Sequence, residues 1–156
     1  MADLVAELRQ IAARLTDAGI DFALCGGLAV VVHGHVRATK DIALLMPAAS
    51  RDAALAQLRS LAFDLLAAPM TFGAGTPAER HVQRVSKAGG TELVTVDLIF
   101  VEPAFGDVWA KRQHFERDGT VLGVVSRDGL IAMKRLAGRS QDLADIDALE
   151  HGASDG

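Results

Sequence analysis

The sequence predicts an α+β (α/β) domain, a mixed β-sheet flanked by helices with further helices at the C-terminus, and three observations point there. Short apolar runs alternate with helix-period segments in the first third of the chain. Two longer β-like runs then flank a glycine turn, and two helix-period segments close the sequence. Half of the 156 residues are hydrophobic and 23% are charged, so the chain can bury a core and is expected to form one domain over residues 1–156.

Leu4, Leu8, Ile11 and Leu15 recur at helical spacing, with Asp3 as the N-cap and Gly19 as the stop. Ile20 to Cys25 reads as a strand, and Gly26-Gly27 turns the chain into a brief helix over Leu28 to His33 that Gly34 ends. Asp41 to Met46 is a second strand, halted by Pro47. Ser50 is the expected cap of a helix carrying Leu55, Leu58 and Leu61 on one stripe, and a short strand over Phe63 to Leu66 follows. Pro69 to Pro77, rich in Gly, Thr and Pro, reads as a loop and as the most mobile segment. Arg80 to Lys87 and Glu92 to Val101 are antiparallel strands around Ala88-Gly89-Gly90-Thr91. Ala104 to Arg112 is a short helix, and His114–Arg117 with Thr120–Val125 forms a hairpin turning at Asp118-Gly119. Helices over Arg127–Leu136 and Ser140–His151 end the chain, with Gly138 between them and Ser140 capping the second.

The bulk chemistry excludes several function classes. Net charge is −4 and no Lys/Arg block stands out, so nucleic acid is not gripped by general electrostatics. Met1-Ala2-Asp3 lacks the basic and apolar regions of a signal peptide, and no apolar run reaches the ~18 residues of a membrane span. The expectation is therefore a cytoplasmic protein with no membrane partner. The single cysteine, Cys25, cannot form an internal disulfide and reads as a small buried residue. No Walker, Rossmann or nucleophile-elbow motif is present. His33-Gly34-His35 lacks the further ligands a zinc site needs, so His33 is expected to pack or hydrogen-bond near the glycine turn.

Strand parity singles out two carboxylates. Asp41, Ala43 and Leu45 share one face of their strand, with Ile42, Leu44 and Met46 on the other; Leu93, Thr95, Asp97, Ile99 and Val101 share a face of the later one. Asp97 thus sits in an almost wholly apolar strand, where an ionised carboxylate needs a cation, a donor network or a raised pKa. A metal ion and an Arg or Lys partner both satisfy that need.

As a composite, Gly26-Gly27-Leu28-Ala29, His33-Gly34, Arg37, Thr39 and Asp41-Ile42-x-Leu44-Leu45 resemble the signature of small prokaryotic nucleotidyltransferases of the DNA polymerase β-like superfamily. AbiEii-type toxin proteins look the nearest, and Leu130–Lys134 with Ala137–Ile146 resemble that group's closing helices, so the similarity covers roughly residues 20 to 150. The resemblance implies transfer of a nucleoside monophosphate from an NTP to a hydroxyl, of a tRNA end or a partner protein, within a toxin–antitoxin system. It implies two divalent ions, Mg²⁺ or Mn²⁺, held by Asp41, Asp97 and a further acid that bridges both ions. It also implies phosphates lying against Gly26 and Gly27, with Lys134, Arg37 and Arg139 neutralising charge and Thr39 in the same signature. Asp142 and Asp145 are expected to orient those basic groups or cap helix packing rather than bind metal. The pattern calls for a second acid at position 43, where the chain has Ala43, so metal binding and transfer should be impaired. A naturally degenerate member and an inactivating substitution in an intact enzyme both account for this; the intact surroundings favour the second. A non-catalytic nucleotide- or partner-binding module of the same fold is the alternative reading.

Overall fold

The computed structural model describes residues 3–117 and 119–151, so the predicted turn residue Asp118 lies outside the described residues. Helix α1 (Leu4–Asp17) is capped by Asp3, whose carboxylate accepts from the Ala6 amide at 3.1 Å, and it buries Leu8, Ile11, Ala12 and Leu15. Its C-terminal closure uses the Ile20 amide, which donates to Leu15 O at 2.9 Å. That closure takes Ile20 out of the predicted strand, and β1 is only Ala23–Cys25. Helix α2 (Gly26–Val32) begins at the glycine pair itself, two residues earlier than expected.

Strand β2 (Asp41–Met46) has the predicted bounds. A 3₁₀ turn at Ala48–Ser50 runs directly into α3 (Arg51–Ser60), so Ser50 already has helical backbone angles and makes no side-chain cap, contrary to expectation. Strand β3 (Leu65–Leu66) follows. The segment Pro69 to Pro77 is not wholly a loop: β4 (Met70–Phe72) lies in it and pairs with β5 (Arg80–Gly89). β6 (Glu92–Phe100) returns antiparallel to β5, turning at Gly90-Thr91, where Gly90 adopts φ +70°. The remaining elements are α4 (Gly106–Ala110), the hairpin β7 (Gln113–Arg117) and β8 (Thr120–Val124), α5 (Arg127–Ala137) and α6 (Ser140–His151). Ser126 caps α5 by accepting from the Gly129 amide at 3.0 Å. Ser140 is the first residue of α6 rather than its cap; the Asp142 carboxylate instead accepts from the Arg139 amide at 3.2 Å.

The strands form one mixed sheet in the order β3-β5-β6-β2-β1-β8-β7, with β4 sharing the outer edge of β5. β2 runs parallel to β6 and β1 parallel to β8; the other pairings are antiparallel. One face carries Ile42, Leu44, Met46, Val94, Val96, Leu98 and Phe100, all buried. Helices α1 and α3 cover this face, held by Glu7–Lys87 at 2.7 Å and by Arg51 donating to Gln83 at 2.9 Å. The opposite face carries Asp41, Ala43, Thr95, Asp97 and Ile99, none of them fully buried.

Among the described residues no helix is long and apolar enough to cross a membrane. Since Leu98 is fully buried and Leu93 is 61% exposed on the same strand, Leu98→Ala should lose about 2–5 kcal/mol of unfolding free energy. Leu93→Ala should stay within about 0.5 kcal/mol of the parent in the same denaturant titration.

Candidate functional site

The parallel β2–β6 register sets Ala43 opposite Asp97 and Asp41 opposite Thr95, so both carboxylates leave the sheet on the open face. A cleft of about 660 Å³ lies over that face. All nine residues singled out from the sequence line it: Asp41, Ala43, Asp97, Gly26, Gly27, Arg37, Thr39, Lys134 and Arg139.

Asp97 does not stand alone. Arg84 of β5 lies directly across the strand pair and grips it with both ends of the fork, Nε to Oδ1 at 2.8 Å and Nη2 to Oδ2 at 3.0 Å. The same Nη2 is 4.0 Å from Asp41 Oδ2, so two carboxylates bracket one guanidinium. Burial, then the negative charge of Asp97, pushes the Asp41 carboxyl above its usual value, with Arg84, Lys40 and Arg139 pulling it back. Arg84 is the residue that the sequence reading missed. The hairpin register contains the signal, because centring the turn on Gly90-Thr91 pairs Asp97 with Arg84, whereas a turn centred one residue earlier pairs it with Val82.

Gly26 requires its glycine. Its φ is +68°, and a Cβ there would meet the Ala43 Cβ at 3.0 Å, so the diglycine bend packs straight onto position 43. A Cβ on Gly27 would come within 2.5 Å of Thr39 Oγ1 and 2.7 Å of Arg37 Nη1, which shows how closely that loop lies over the bend.

The basic side of the cleft is organised by two buried carboxylates of α6. Asp145 takes Arg37 Nε on Oδ1 and Lys134 Nζ on Oδ2, each at 2.9 Å. Asp142 takes Arg139 Nε at 2.8 Å and Lys134 at 3.5 Å. Burial alone would raise both carboxyls, but for Asp142 the bonds from Arg139, and for Asp145 those from Lys134 and Arg37, outweigh it and hold them below the usual range. Three cations thus share two carboxylates. The guanidinium of Arg139, 78% exposed at its side chain, feels the charge of Asp97 and Asp41 across the cleft.

Cys25, fully buried under this site, has its thiol pushed up to about 12 by burial, opposed by Lys134 and reinforced by Asp97, which makes it an inert neutral side chain. His33 Nε2 lies 2.9 Å from Val125 O beside the glycine bend, a structural contact of the expected kind.

As a metal site the donor set is incomplete. Among the described residues no three His, Cys, Asp or Glu side chains are placed to hold one ion. Position 43 offers a methyl group, and Asp97 is already engaged by Arg84. Two carboxylates alone do not supply the oxygens for a pair of divalent ions.

The architecture is that of a nucleotidyltransferase-like fold. It is similar to a crystal structure of an antigenic nucleotidyltransferase-like protein from Paracoccidioides brasiliensis, at 20% identity over 92% of this chain and 73% of that one, TM-score 0.59. It is also similar to the lincosamide antibiotic adenylyltransferase LnuA with lincomycin bound, at 14% identity over 94% of this chain and 96% of that one, TM-score 0.62. A third likeness is to ANT(2")-Ia in complex with adenylyl-2"-tobramycin, at 13% identity over 94% and 87% of the two chains, TM-score 0.57. No protein-family profile matches the sequence, and no curated protein is similar to it in sequence.

Lys134 is only 7% exposed at its side chain, so Lys134→Met leaves Asp142 and Asp145 short of a cation. Because Arg37 and Arg139 still pair with them, the loss should be about 3 kcal/mol, the low end for a broken buried pair, in urea unfolding. Asp145 has a lowered pKa in the fold, so its contribution is complete at pH above the ordinary 3.8 and disappears as pH falls through the lowered value. The stability gap between the parent and Asp145→Asn should accordingly be full at neutral pH and close only below 3.8.

Proposed function

We propose that the chain is a nucleotidyltransferase-fold protein that binds a nucleoside triphosphate in this cleft and transfers its nucleoside monophosphate to a hydroxyl acceptor, with transfer impaired by Ala43. The observation that carries the reading is the meeting, in one cleft, of the Asp41/Asp97 pair, the diglycine bend and the Lys134–Arg37–Arg139 cluster. In such a step the acceptor oxygen forms a bond to the α-phosphorus, the bond to the β-phosphate oxygen breaks, pyrophosphate leaves, and the hydroxyl proton is lost. Arg139, with Lys134 and Arg37 behind it, supplies positive charge for the triphosphate. Asp142 and Asp145 hold those three cations in place. Gly26 and Gly27 keep the cleft floor free of side chains. A divalent ion on Asp41 and Asp97, Mg²⁺ or Mn²⁺, would neutralise the triphosphate and activate the attacking oxygen.

The acceptor we propose is a tRNA end or a hydroxyl of a partner protein, in a toxin–antitoxin setting in the cytoplasm. The likeness of the glycine signature and closing helices to AbiEii-type proteins supports that assignment, and the buried, unpaired Cys25 suits a reducing compartment. A second reading, a non-catalytic nucleotide- or partner-binding module, is favoured by the missing acid at 43 and by the engagement of Asp97 with Arg84.

Label transfer from each α-labelled NTP to tRNA, with Mg²⁺ or Mn²⁺, separates the two readings. Ala43→Asp should raise transfer at least about 100-fold over the parent, since even the outer partners of metal ligands are worth 10–100-fold. Nucleotide binding with no turnover in either form would establish the module instead. No nucleotide affinity in either form would remove both.

A further inference from the structure

We propose that Arg84 is a resident cation of the nucleotide site: anchored by Asp97, it supplies to the triphosphate part of the positive charge that a second divalent ion would bring, so that this chain binds nucleotide without added metal. The inference rests on the nucleotide-binding reading of the cleft and extends it to a residue outside the sequence signature.

Position gives the first argument. Arg84 is the cross-strand neighbour of Asp97, which is in turn the neighbour of Ala43, so the three lie in one row across β5, β6 and β2 on the open face. The side chain that could have completed a bridged pair of ions is missing from that row, and a guanidinium stands two strands away in it. Its Nη2 is 3.0 Å from one carboxylate and 4.0 Å from the other, between the two groups expected to hold metal.

Charge gives the second. Asp41 and Asp97 together carry two negative charges, and Arg84 removes one of them permanently, because a guanidinium does not deprotonate in proteins. A polyanion approaching two bare carboxylates would be repelled unless metal came with it. With Arg84 in place, and with Arg139 close enough to feel both carboxylates, the repulsion is already reduced in the metal-free protein.

Donor capacity gives the third. Asp97 uses Nε and Nη2 of the fork; among the described residues Nη1 makes no hydrogen bond. Arg84 lines the cleft and its side chain is 44% exposed, so the remaining N–H groups are accessible to a phosphate. A purely structural ion pair joining β5 to β6 needs neither the opening onto the cleft nor the approach to Asp41.

The test is equilibrium binding of ATP, GTP, CTP, UTP and inorganic tripolyphosphate to the full chain, in EDTA and in Mg²⁺. The parent is expected to bind at least one of these with a Kd in EDTA within about threefold of that in Mg²⁺. Arg84→Gln should lose at least tenfold in EDTA and recover most of it in Mg²⁺, because Asp97 is then free to share an ion with the phosphates. Arg84→Lys, which keeps the charge and loses the fork, should fall between the two and covers the case in which the glutamine variant does not fold. Binding by the parent that requires Mg²⁺ overturns the inference and leaves the nucleotide reading standing. A folded Arg84→Gln that binds in EDTA as the parent does also overturns it. Absence of binding to every ligand in both buffers, in the parent and in Ala43→Asp, overturns the inference together with the reading it rests on.

Discussion

The parallel pairing of β2 with β6 is the constraint on which the site depends. It fixes Ala43 against Asp97 and places Asp41 one pleat further along the same face. A slip of β2 by one residue would turn Asp41 into the apolar layer under α1 and α3, where Ile42 and Leu44 are now fully buried, and would leave Asp97 alone on the open face. That layer therefore specifies the register as well as stabilising the sheet, and the chemistry on the other face follows from it. Helices α1 and α3 seal one side, and the opposite side stays open enough to hold a cleft.

Charge in that cleft is arranged in two linked sets. Two carboxylates of the sheet hold one arginine, and two carboxylates of α6 hold one lysine and two arginines. The α6 set is not a simple surface ion pair. Asp142, Asp145 and Lys134 are nearly inaccessible, so each buried charge lies against an opposite one. The sheet set carries an excess of negative charge and the helix set an excess of positive charge, and they are near enough for Arg139 to sense Asp97.

Much of this was legible in the sequence because it depends on local rules. The period-two parity of Asp41–Met46, the capping Asp3 and the glycine bend at Gly26-Gly27 all concern a few neighbouring residues. What escaped the sequence depends on register or on tertiary competition. Arg84 was hidden by one residue of turn placement, since a hairpin centred at Gly90-Thr91 and one centred a residue earlier give Asp97 different partners. Strand β4 was masked by the Gly, Thr and Pro around it and exists because the long β5 leaves an edge for Met70–Phe72 to cover. Ser50 and Ser140 have cap chemistry, but Ser50 sits in a 3₁₀ turn that runs on into α3 and Ser140 is already the first residue of α6. For Asp97 the sequence left a metal ion and an Arg or Lys partner both open, and the partner in the structure is Arg84.

The most direct measurement is a crystal structure of this chain with a non-hydrolysable nucleoside triphosphate analogue. The account predicts phosphate density in the cleft, above Gly26-Gly27, with Arg139 on one side and Arg84 on the other. Density for the analogue on any other surface, or a cleft that stays empty at saturating ligand, would contradict it.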